Sequence, residues 1–240
     1  MTNSSNQKTV LLKLSGEALA GSQEFGIDKE ALTCVSNQIK SACETNSRIG
    51  IVPGGGNIFR GISLQHQMPR HTGDTMGMFA TLLNSLALSA SLESLGIANQ
   101  VLSAFPTGNR IPQFSEQKAL ELLDQGKVVI FGGGTGNPYF TTDTAAVLRA
   151  LQINASLLIK ATKVSGIYDS DPEKNKDAVF FPEITYSKVL QDNLKVMDGA
   201  AIATARDNNL SLQVLNLFEK NSIKKALNGE KTGTLVKPSN

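Results

Sequence analysis

The segment KVVIFGGGTGNPYFTTDTAAVLRALQINASLLIK, residues 127–160, contains the most regular alternation in the chain. It predicts a strand over residues 127–131, a glycine loop over residues 132–136, a helix over residues 143–153 and a strand over residues 155–160. A strand, a helix and a second strand of these lengths form a βαβ unit, whose two strands run parallel because the chain crosses over between them. This segment therefore predicts a parallel sheet.

The rest of the chain continues the alternation of strands and helices. Further strands are predicted over residues 10–14, 49–52 and 213–217. Further helices are predicted from the cap Asp28 to residue 43, over residues 75–95, from the cap Ser115 to residue 123, and over residues 189–194, 198–208 and 222–227. The helix over residues 75–95 is apolar on most of its sides and is expected to be buried.

The order of these elements decides the fold class. It predicts an α/β protein with an open, mainly parallel sheet and helices on both faces, an αβα sandwich. No stretch rich in Pro, Gly or Ser divides the chain, so residues 1–240 are expected to form a single domain. Within it we expect an N-terminal lobe of about residues 8–150 and a C-terminal lobe of about residues 151–240, which share one sheet.

The composition and charge of the chain exclude several classes of protein. With 23 basic and 21 acidic residues the formal net charge is only +2, which argues against a protein that coats nucleic acid. The longest apolar stretch, residues 76–95, is interrupted by Thr81, Asn84, Ser85 and other polar residues, so no membrane span is expected. The polar start, residues 1–7, lacks the features of a signal peptide, and a cytoplasmic protein is expected.

The two cysteines, Cys34 and Cys43, lie nine positions apart in one predicted helix. Because each residue turns the helix by about 100°, the two side chains point to opposite sides and cannot form a disulfide there. We expect two buried thiols in a reducing compartment.

Three glycine-bearing loops each follow a predicted strand. They are Ser15-Gly16, Gly54–Gly56 and the longer run over residues 132–136. The carboxyl ends of parallel strands meet at one edge of a sheet, where ligands bind, and glycine allows backbone N–H groups to converge on an anion. The run is neither a G-x-x-x-x-G-K-[ST] P-loop nor a dinucleotide-binding G-x-G-x-x-G, because Asn137 replaces the last glycine. The loops predict a phosphate site of another kind.

Two cations accompany the first two loops. Lys13 lies among the apolar residues of the first strand, either as a lysine at a sheet edge that reaches solvent or as a partner for phosphate. Arg60 follows the second loop, either as a surface charge or as a bidentate phosphate ligand.

Other charged residues accompany the later segments. Asp143 begins the predicted helix after the third loop, so it suits an N-cap, a helix-dipole partner or a catalytic carboxylate, and these roles are compatible. Lys160 ends the next strand. Asp74 either binds a sugar hydroxyl or caps the long helix.

Six stretches of the chain resemble the bacterial UMP kinases of the amino acid kinase superfamily. They are LKLSGE (residues 12–17), GGGNIFRG (54–61), GDTMGM (73–78), GTGNPYFTTDTAA (134–146), LIKATK (158–163) and KVMD (195–198). They occur in the family's order from about residue 10 to residue 235, and the block over residues 134–146 is longer than any generic glycine loop. The resemblance implies the amino acid kinase fold and transfer of the γ-phosphoryl group of ATP to UMP, giving UDP in de novo pyrimidine nucleotide synthesis.

The resemblance also implies roles for individual residues. Positions expected to bind ATP are Lys13, Leu14, Ser15, Gly16, Gly56, Arg60, Thr162, Tyr168 and Asp171. Positions expected to bind UMP are Gly55, Asp74, Thr135, Gly136, Asn137, Pro138, Tyr139, Phe140, Thr141 and Thr142. The expected catalytic residues are Lys13, Arg60, Asp143 and Lys160, with Asp143 organising the centre. Mg²⁺ is expected with ATP; whether Asp143, Asp198 or mainly the phosphates hold it stays open.

The resemblance further implies a homohexamer regulated by GTP and UTP. The chain departs from the family pattern at Pro53, where an aliphatic residue is usual, and at Ser165, where aspartate is common. The loop over residues 21–26 matches the segment linked to GTP control only loosely. No general base is needed, because the acceptor oxygen already carries negative charge, and we expect His66 and His71 to be surface residues.

Two other functions use the same loops. One is a kinase of the same superfamily that phosphorylates a carboxylate or a carbamate, which would differ over residues 134–146. The other is a non-catalytic oligomer that stores a nucleotide or an oxyanion, which would tolerate the loss of Lys13 or Asp143.

Overall fold

The computed structural model describes residues 7–59, 68–172 and 174–238, and it contains one large sheet. The strands are β1 (Lys8–Leu14), β2 (Ser47–Pro53), β3 (Asn99–Ser103), β4 (Val128–Gly132), β5 (Leu157–Thr162), β6 (Ile167–Tyr168), β7 (Phe180–Phe181), β8 (Glu183–Thr185), β9 (Ser211–Asn216) and β10 (Thr234–Lys237). Eight of them form the sheet in the order β3-β4-β2-β1-β5-β9-β10-β8, while β6 and β7 form a separate antiparallel pair. Within the sheet only β9 and β10 pair antiparallel.

Helices cover both faces of the sheet. They are α1 (Glu17–Ala20), α2 (Lys29–Cys43), α3 (Arg70–Ser94), α4 (Glu116–Asp124), α5 (Thr142–Gln152), α6 (Tyr186–Gln191), α7 (Gly199–Asp207) and α8 (Ser222–Leu227). Apolar side chains of α4, α5, α6 and α7 form one buried cluster with the sheet, and those of α1, α2, α3 and α8 form a second. The predicted α/β class, a mainly parallel sheet with helices on both faces, is confirmed.

Side chains cap the N-termini of four of the longer helices. The predicted caps Asp28 and Ser115 accept hydrogen bonds from the backbone N–H groups of Ala31 and Lys118. Asp198 caps α7 in the same way. Thr141, and not Asp143, caps α5, which corrects one of the roles expected for Asp143 and leaves its carboxylate available for other partners.

Strand β1 lies in the middle of the sheet, between β2 and β5. Lys13 is therefore not at a sheet edge, and only 7% of its surface is exposed. In the β1–β5 register Lys13 is paired with Lys160, so both side chains project from the same face, toward α5. The expectation that Lys13 snorkels from an edge is wrong, because both neighbouring strands enclose it.

Helix α3 departs from its prediction in two ways. It begins at Arg70, five residues before the predicted start, and the Pro69 carbonyl accepts its first hydrogen bonds, from the N–H groups of Thr72 and Gly73. It is also not buried on most sides: Met76, Phe79, Leu83 and Leu86 are each between 42% and 53% exposed and form one apolar stripe. An apolar helix surface in the sequence predicts that the helix is covered, but it does not show which neighbour covers each face.

In the described part of the chain, α3 is the one helix that is long and apolar enough to cross a membrane. However, its Asn84 donates a hydrogen bond to Gly54, and its Thr81 accepts one from Gly133, in the loops of the sheet. One side of α3 is therefore hydrogen-bonded to loops of the sheet.

Both cysteines lie in α2 and are free, but they are half-buried and not fully buried as predicted. Cys43 occupies the last turn of the helix, next to Glu44. Burial, together with the nearby Glu44 carboxylate, raises the pKa of the Cys43 thiol to about 11. The reactive thiolate is therefore scarce at neutral pH.

We expect the Cys43 thiol to react about 100-fold more slowly in the native protein than in the unfolded chain at about pH 8, because a thiol of ordinary pKa is far more ionised there. A Cys34→Ser variant isolates this thiol, and the rate of its reaction with a disulfide reagent in buffer and in denaturant measures the ratio. Equal rates in both conditions would show that Cys43 is not shielded.

Candidate active site

The three glycine loops meet at the carboxyl edge of the sheet, as predicted. Ser15 and Gly16 follow β1, Gly54–Gly56 follow β2, and Gly133–Gly136 follow β4. The first two loops touch: a Cβ added to Gly16 would lie 2.6 Å from the backbone nitrogen of Gly56, and one added to Gly54 would lie 2.7 Å from that of Gly16. Glycine is required at both positions because the two backbones leave no room for a side chain.

A lysine–aspartate–lysine cluster lies below these loops. Lys13 Nζ is 2.8 Å from Asp143 Oδ1, and Lys160 Nζ is 2.8 Å from Asp143 Oδ2. Lys160 also donates a hydrogen bond to the carbonyl of Val196. All three side chains are at most 15% exposed. Two neighbouring strands place like charges side by side, and the first turn of α5 places a carboxylate between them.

The charged groups of the cluster shift one another's pKa values. Burial alone would raise the pKa of Asp143, but the charges of Lys13 and Lys160 outweigh it and hold that pKa below its ordinary value. Burial lowers the pKa of Lys160, while Asp143 opposes this shift. The carboxylate is thus ionised throughout the neutral range, and protonating it requires a pH below its depressed pKa. By formal charge, two lysines and one aspartate carry one net positive charge, which suits a bound anion.

A second carboxylate joins α5 to α7. Asp198 caps α7 by accepting a hydrogen bond from the Ala201 N–H, and it also accepts from the hydroxyls of Thr141 and Thr144 in the first turn of α5. The two aspartates left open as metal ligands are therefore both engaged by protein donors. No group of three or more His, Cys, Asp or Glu side chains in the described ranges is arranged to hold a metal ion.

A first cavity of about 650 Å³ opens on one side of the loops. Residues that line it include Gly55, Asp74, Thr135, Phe140, Thr141 and Thr142, together with Glu17, Gly56 and Thr81. Asp74 lies within α3, beyond its first turn, and does not cap the helix. Its Oδ2 accepts a 2.6 Å hydrogen bond from the Tyr139 N–H, and Arg70 lies over the Tyr139 ring.

A second cavity of about 670 Å³ lies beside β5. Its lining includes Lys160, Thr162, Tyr168 and Asp171. The Tyr168 ring packs edge-on against Phe180, with 5.3 Å between the ring centroids. Of the four residues, Thr162, Tyr168 and Asp171 are among the positions that the family resemblance assigns to ATP binding. A third cavity of about 680 Å³, at the amino ends of β1, β5 and β9, is lined by none of the predicted site residues.

Comparison with known proteins decides the family. The sequence model of the Amino acid kinase family matches residues 8–216. The chain belongs to the amino acid kinase family. It is 48% identical to a uridylate kinase of Campylobacter fetus subsp. fetus, over 97% of this chain and 98% of that one, and 45% identical to a uridylate kinase of Xanthomonas oryzae pv. oryzae, over 95% and 96%. A crystal structure titled UMP kinase from Bacillus anthracis superposes with a TM-score of 0.94 and 36% identity, covering 97% of each chain.

These relatives confirm the predicted family and the predicted kinase activity. Within this amino acid kinase, most sequence-predicted site residues lie around the glycine loops or in the two cavities. Arg60 and His66 lie outside the described residues. His71 is exposed at the start of α3, as expected. Ser165, which departs from the family pattern, donates a hydrogen bond to Glu219.

Two residues of this site were not predicted from the sequence. Asn84 and Thr81 of α3 contact the second and third glycine loops, yet in the sequence they appear only as polar interruptions of an apolar helix. No motif marks them, because their partners are 30 and 52 residues away. A buried amide in a helix that is otherwise apolar on the same side is the one pattern that would have found Asn84.

Proposed function

We propose that this amino acid kinase transfers the γ-phosphoryl group of MgATP to the α-phosphate of UMP, giving ADP and UDP. The observation that carries the proposal is the Lys13–Asp143–Lys160 cluster, which lies between two cavities of nucleotide size. Lys160 lines the second cavity, and Thr142, next to Asp143, lines the first. The likeness to uridylate kinases over nearly the whole chain supports UMP as the acceptor.

The proposed binding sites follow the division into lobes. UMP occupies the first cavity, lined by residues up to Thr142, and ATP extends from the first two glycine loops into the second cavity, lined by residues from Lys160 onward. The uracil base, or the entrance to its site, is surrounded by Asn137, Tyr139, Phe140 and Thr142. Asp74 accepts a hydrogen bond from a ribose hydroxyl. Arg60 completes the phosphate contacts.

Charge repulsion between the two anionic substrates is the main obstacle to the reaction. Lys13, Lys160 and the loop amides offset this repulsion and hold the attacking and leaving oxygens in line. Asp143 fixes both ammonium groups at 2.8 Å and so orients them before the substrates bind. No residue needs to remove a proton from the acceptor, because the phosphate oxygen is already anionic. Mg²⁺ would be held mainly by the phosphates of ATP, where it would supply further positive charge, since Asp143 and Asp198 are both engaged by protein donors.

The same proposal includes a cytoplasmic homohexamer with GTP and UTP as effectors. The exposed stripe of Met76, Phe79, Leu83 and Leu86 on α3 supports assembly, because an apolar helix face of this kind is suited to self-complementary contact with a second copy.

A coupled assay of ADP formation tests the function. UMP, CMP, aspartate and carbamate are supplied in turn as acceptors with MgATP. ADP release that depends on UMP, with a much lower kcat/KM for CMP, is the expected result. Release with aspartate or carbamate would indicate a kinase for carboxylates or carbamates, and no release with any acceptor would indicate a binding protein.

Asp74→Asn is expected to raise KM for UMP about 10-fold, because it removes the charge from a hydrogen bond to the ribose. The variant retains an oxygen that can accept from the Tyr139 N–H, although it loses the partly exposed ion pair of Asp74 with Arg70. KM for ATP should barely change. Steady-state kinetics with each substrate varied measures both constants, and equal increases in the two would refute a role in the UMP site.

A further inference from the structure

Helix α3 presents one polar face toward two of the glycine loops. Asn84 and Thr81 lie three residues apart and therefore share this face. Both are fully or almost fully buried, at 0% and 2% exposed. Thr81 lines the first cavity, whereas Asn84 is absent from the walls of all three cavities. Any effect of Asn84 on the reaction must therefore act through its neighbours.

All donors of Asn84 are used on the second glycine loop. Its Nδ2 donates to the Gly54 carbonyl at 2.7 Å and to Asn57 Oδ1 at 2.7 Å, while its Oδ1 accepts from Asn57 Nδ2 at 3.1 Å. Asn57 is itself fully buried, and its second N–H donates to the Gly26 carbonyl at 2.8 Å. Only one orientation of each amide satisfies these contacts, because a carbonyl can accept but cannot donate.

The network of Asn84 contributes to the position of the glycine loop. Asn84 donates to Gly54 at one end of the loop and pairs with Asn57 beyond the other end. Backbone hydrogen bonds from Gly54 to Leu14, and from Ile58 and Phe59 to Gly55, also hold the loop. Thr81 supports the third loop in the same way, because its hydroxyl accepts from the Gly133 N–H at 2.8 Å and donates to the Met78 carbonyl. One helix face thus sets the spacing of two loops that belong to different strands.

We propose that Asn84 is a positioning residue, which holds the Gly54–Gly56 loop in the geometry needed for phosphoryl transfer. This inference rests on the proposed function, since the loop is assigned there to the phosphates. An apolar side chain of the same volume would leave the Gly54 carbonyl and Asn57 Oδ1 without this donor, so the amide is needed for these contacts and not only for packing. An amide that is buried with every donor paired specifies one arrangement of the groups around it.

The test compares Asn84→Ala with Ser89→Ala. Ser89 lies on the same helix, is 8% exposed and donates a hydrogen bond to Asn99 in β3, far from the glycine loops. Both variants are expected to be less heat-stable. We expect Asn84→Ala to lower kcat by about 10- to 100-fold at saturating MgATP and UMP, at a temperature where it is fully folded. Ser89→Ala should leave kcat unchanged.

Two further measurements keep the inference testable if Asn84→Ala does not fold. The milder Asn84→Ser variant should show the same loss of kcat to a smaller degree. Hydrogen exchange should become faster in the peptide that contains residues 54–59 for Asn84→Ser but not for Ser89→Ala, and this readout needs no substrate.

If the wild-type protein releases ADP with UMP but the Asn84 variants keep full kcat and unchanged exchange, the inference is wrong. If the wild-type protein shows no activity with UMP, the proposed function fails first, and the exchange experiment still decides whether Asn84 holds the loop.

Discussion

Replacing Lys13 by alanine is expected to lower kcat by about 100-fold or more, because charge-stabilising groups of this kind act mainly on the transition state. The lysine is buried in the central strand, directly under the first glycine loop, with its ammonium group fixed at 2.8 Å from Asp143. Its charge is therefore oriented before the substrates arrive. KM for both nucleotides should change less than kcat.

The variant should still fold. Lys13→Ala leaves Asp143 and Lys160 as a pair, whereas removing Asp143 would leave two buried lysines without their shared carboxylate, a loss that costs about 3–5 kcal/mol. Lys8→Ala is the matched control, since Lys8 lies in the same strand but is exposed at its opposite end. Steady-state kinetics and thermal unfolding of both variants give the comparison. A kcat for Lys13→Ala within a few fold of the wild-type value would remove Lys13 from the mechanism.

Gly16→Ala is expected to reduce kcat/KM by about 100-fold and to destabilise the fold by about 1–3 kcal/mol. The backbone at Gly16 has φ −58° and ψ −34°, which alanine adopts readily, so conformational strain does not contribute. The loss comes from space alone: the new methyl group would lie 2.6 Å from the Gly56 nitrogen and 2.6 Å from Asn57 Oδ1. To relieve this contact, the first two glycine loops must separate.

Gly199→Ala provides the control for this steric effect. A Cβ at Gly199, in the first turn of α7, would meet nothing within 4 Å, so the variant should keep its activity and its stability. Gly56→Ala separates ligand contact from folding, because a Cβ there also meets nothing within 4 Å of the protein. We expect Gly56→Ala to have the same melting temperature as the wild-type protein but to bind MgATP more weakly. If Gly16→Ala has wild-type kcat/KM, the close approach of the two loops has no role in catalysis.

The local pattern of the chain was sufficient to predict the elements that depend on near neighbours. The βαβ unit over residues 127–160, the caps Asp28 and Ser115 and the helix over residues 222–227 are all present as predicted. Their signals lie within a few residues of each other, in turn residues, caps and hydrophobic periodicity. The strands β3, β6, β7, β8 and β10 were not predicted, because strands take their shape largely from their partners in the sheet.

The family resemblance names the residues proposed for the site but not their geometry. Asp143 suited three roles in the sequence, and the structure selects among them: Thr141 caps the helix, and the Asp143 carboxylate binds Lys13 and Lys160. The apolar character of α3 was also plain, yet only the packed protein shows which stripe is exposed and that Asn84 reaches the glycine loop.

The sequence by itself determined the α/β alternation and the location of the glycine loops after strands, since both are encoded in short, contiguous stretches. Tertiary structure alone decided that Lys13 and Lys160 lie side by side, that Asp143 lies between them and that Gly16 touches Gly56. These contacts join residues that are far apart along the chain. They exist because the parallel register of β1, β2 and β5 and the packing of α5 bring them to one edge of the sheet, and no local pattern specifies that register.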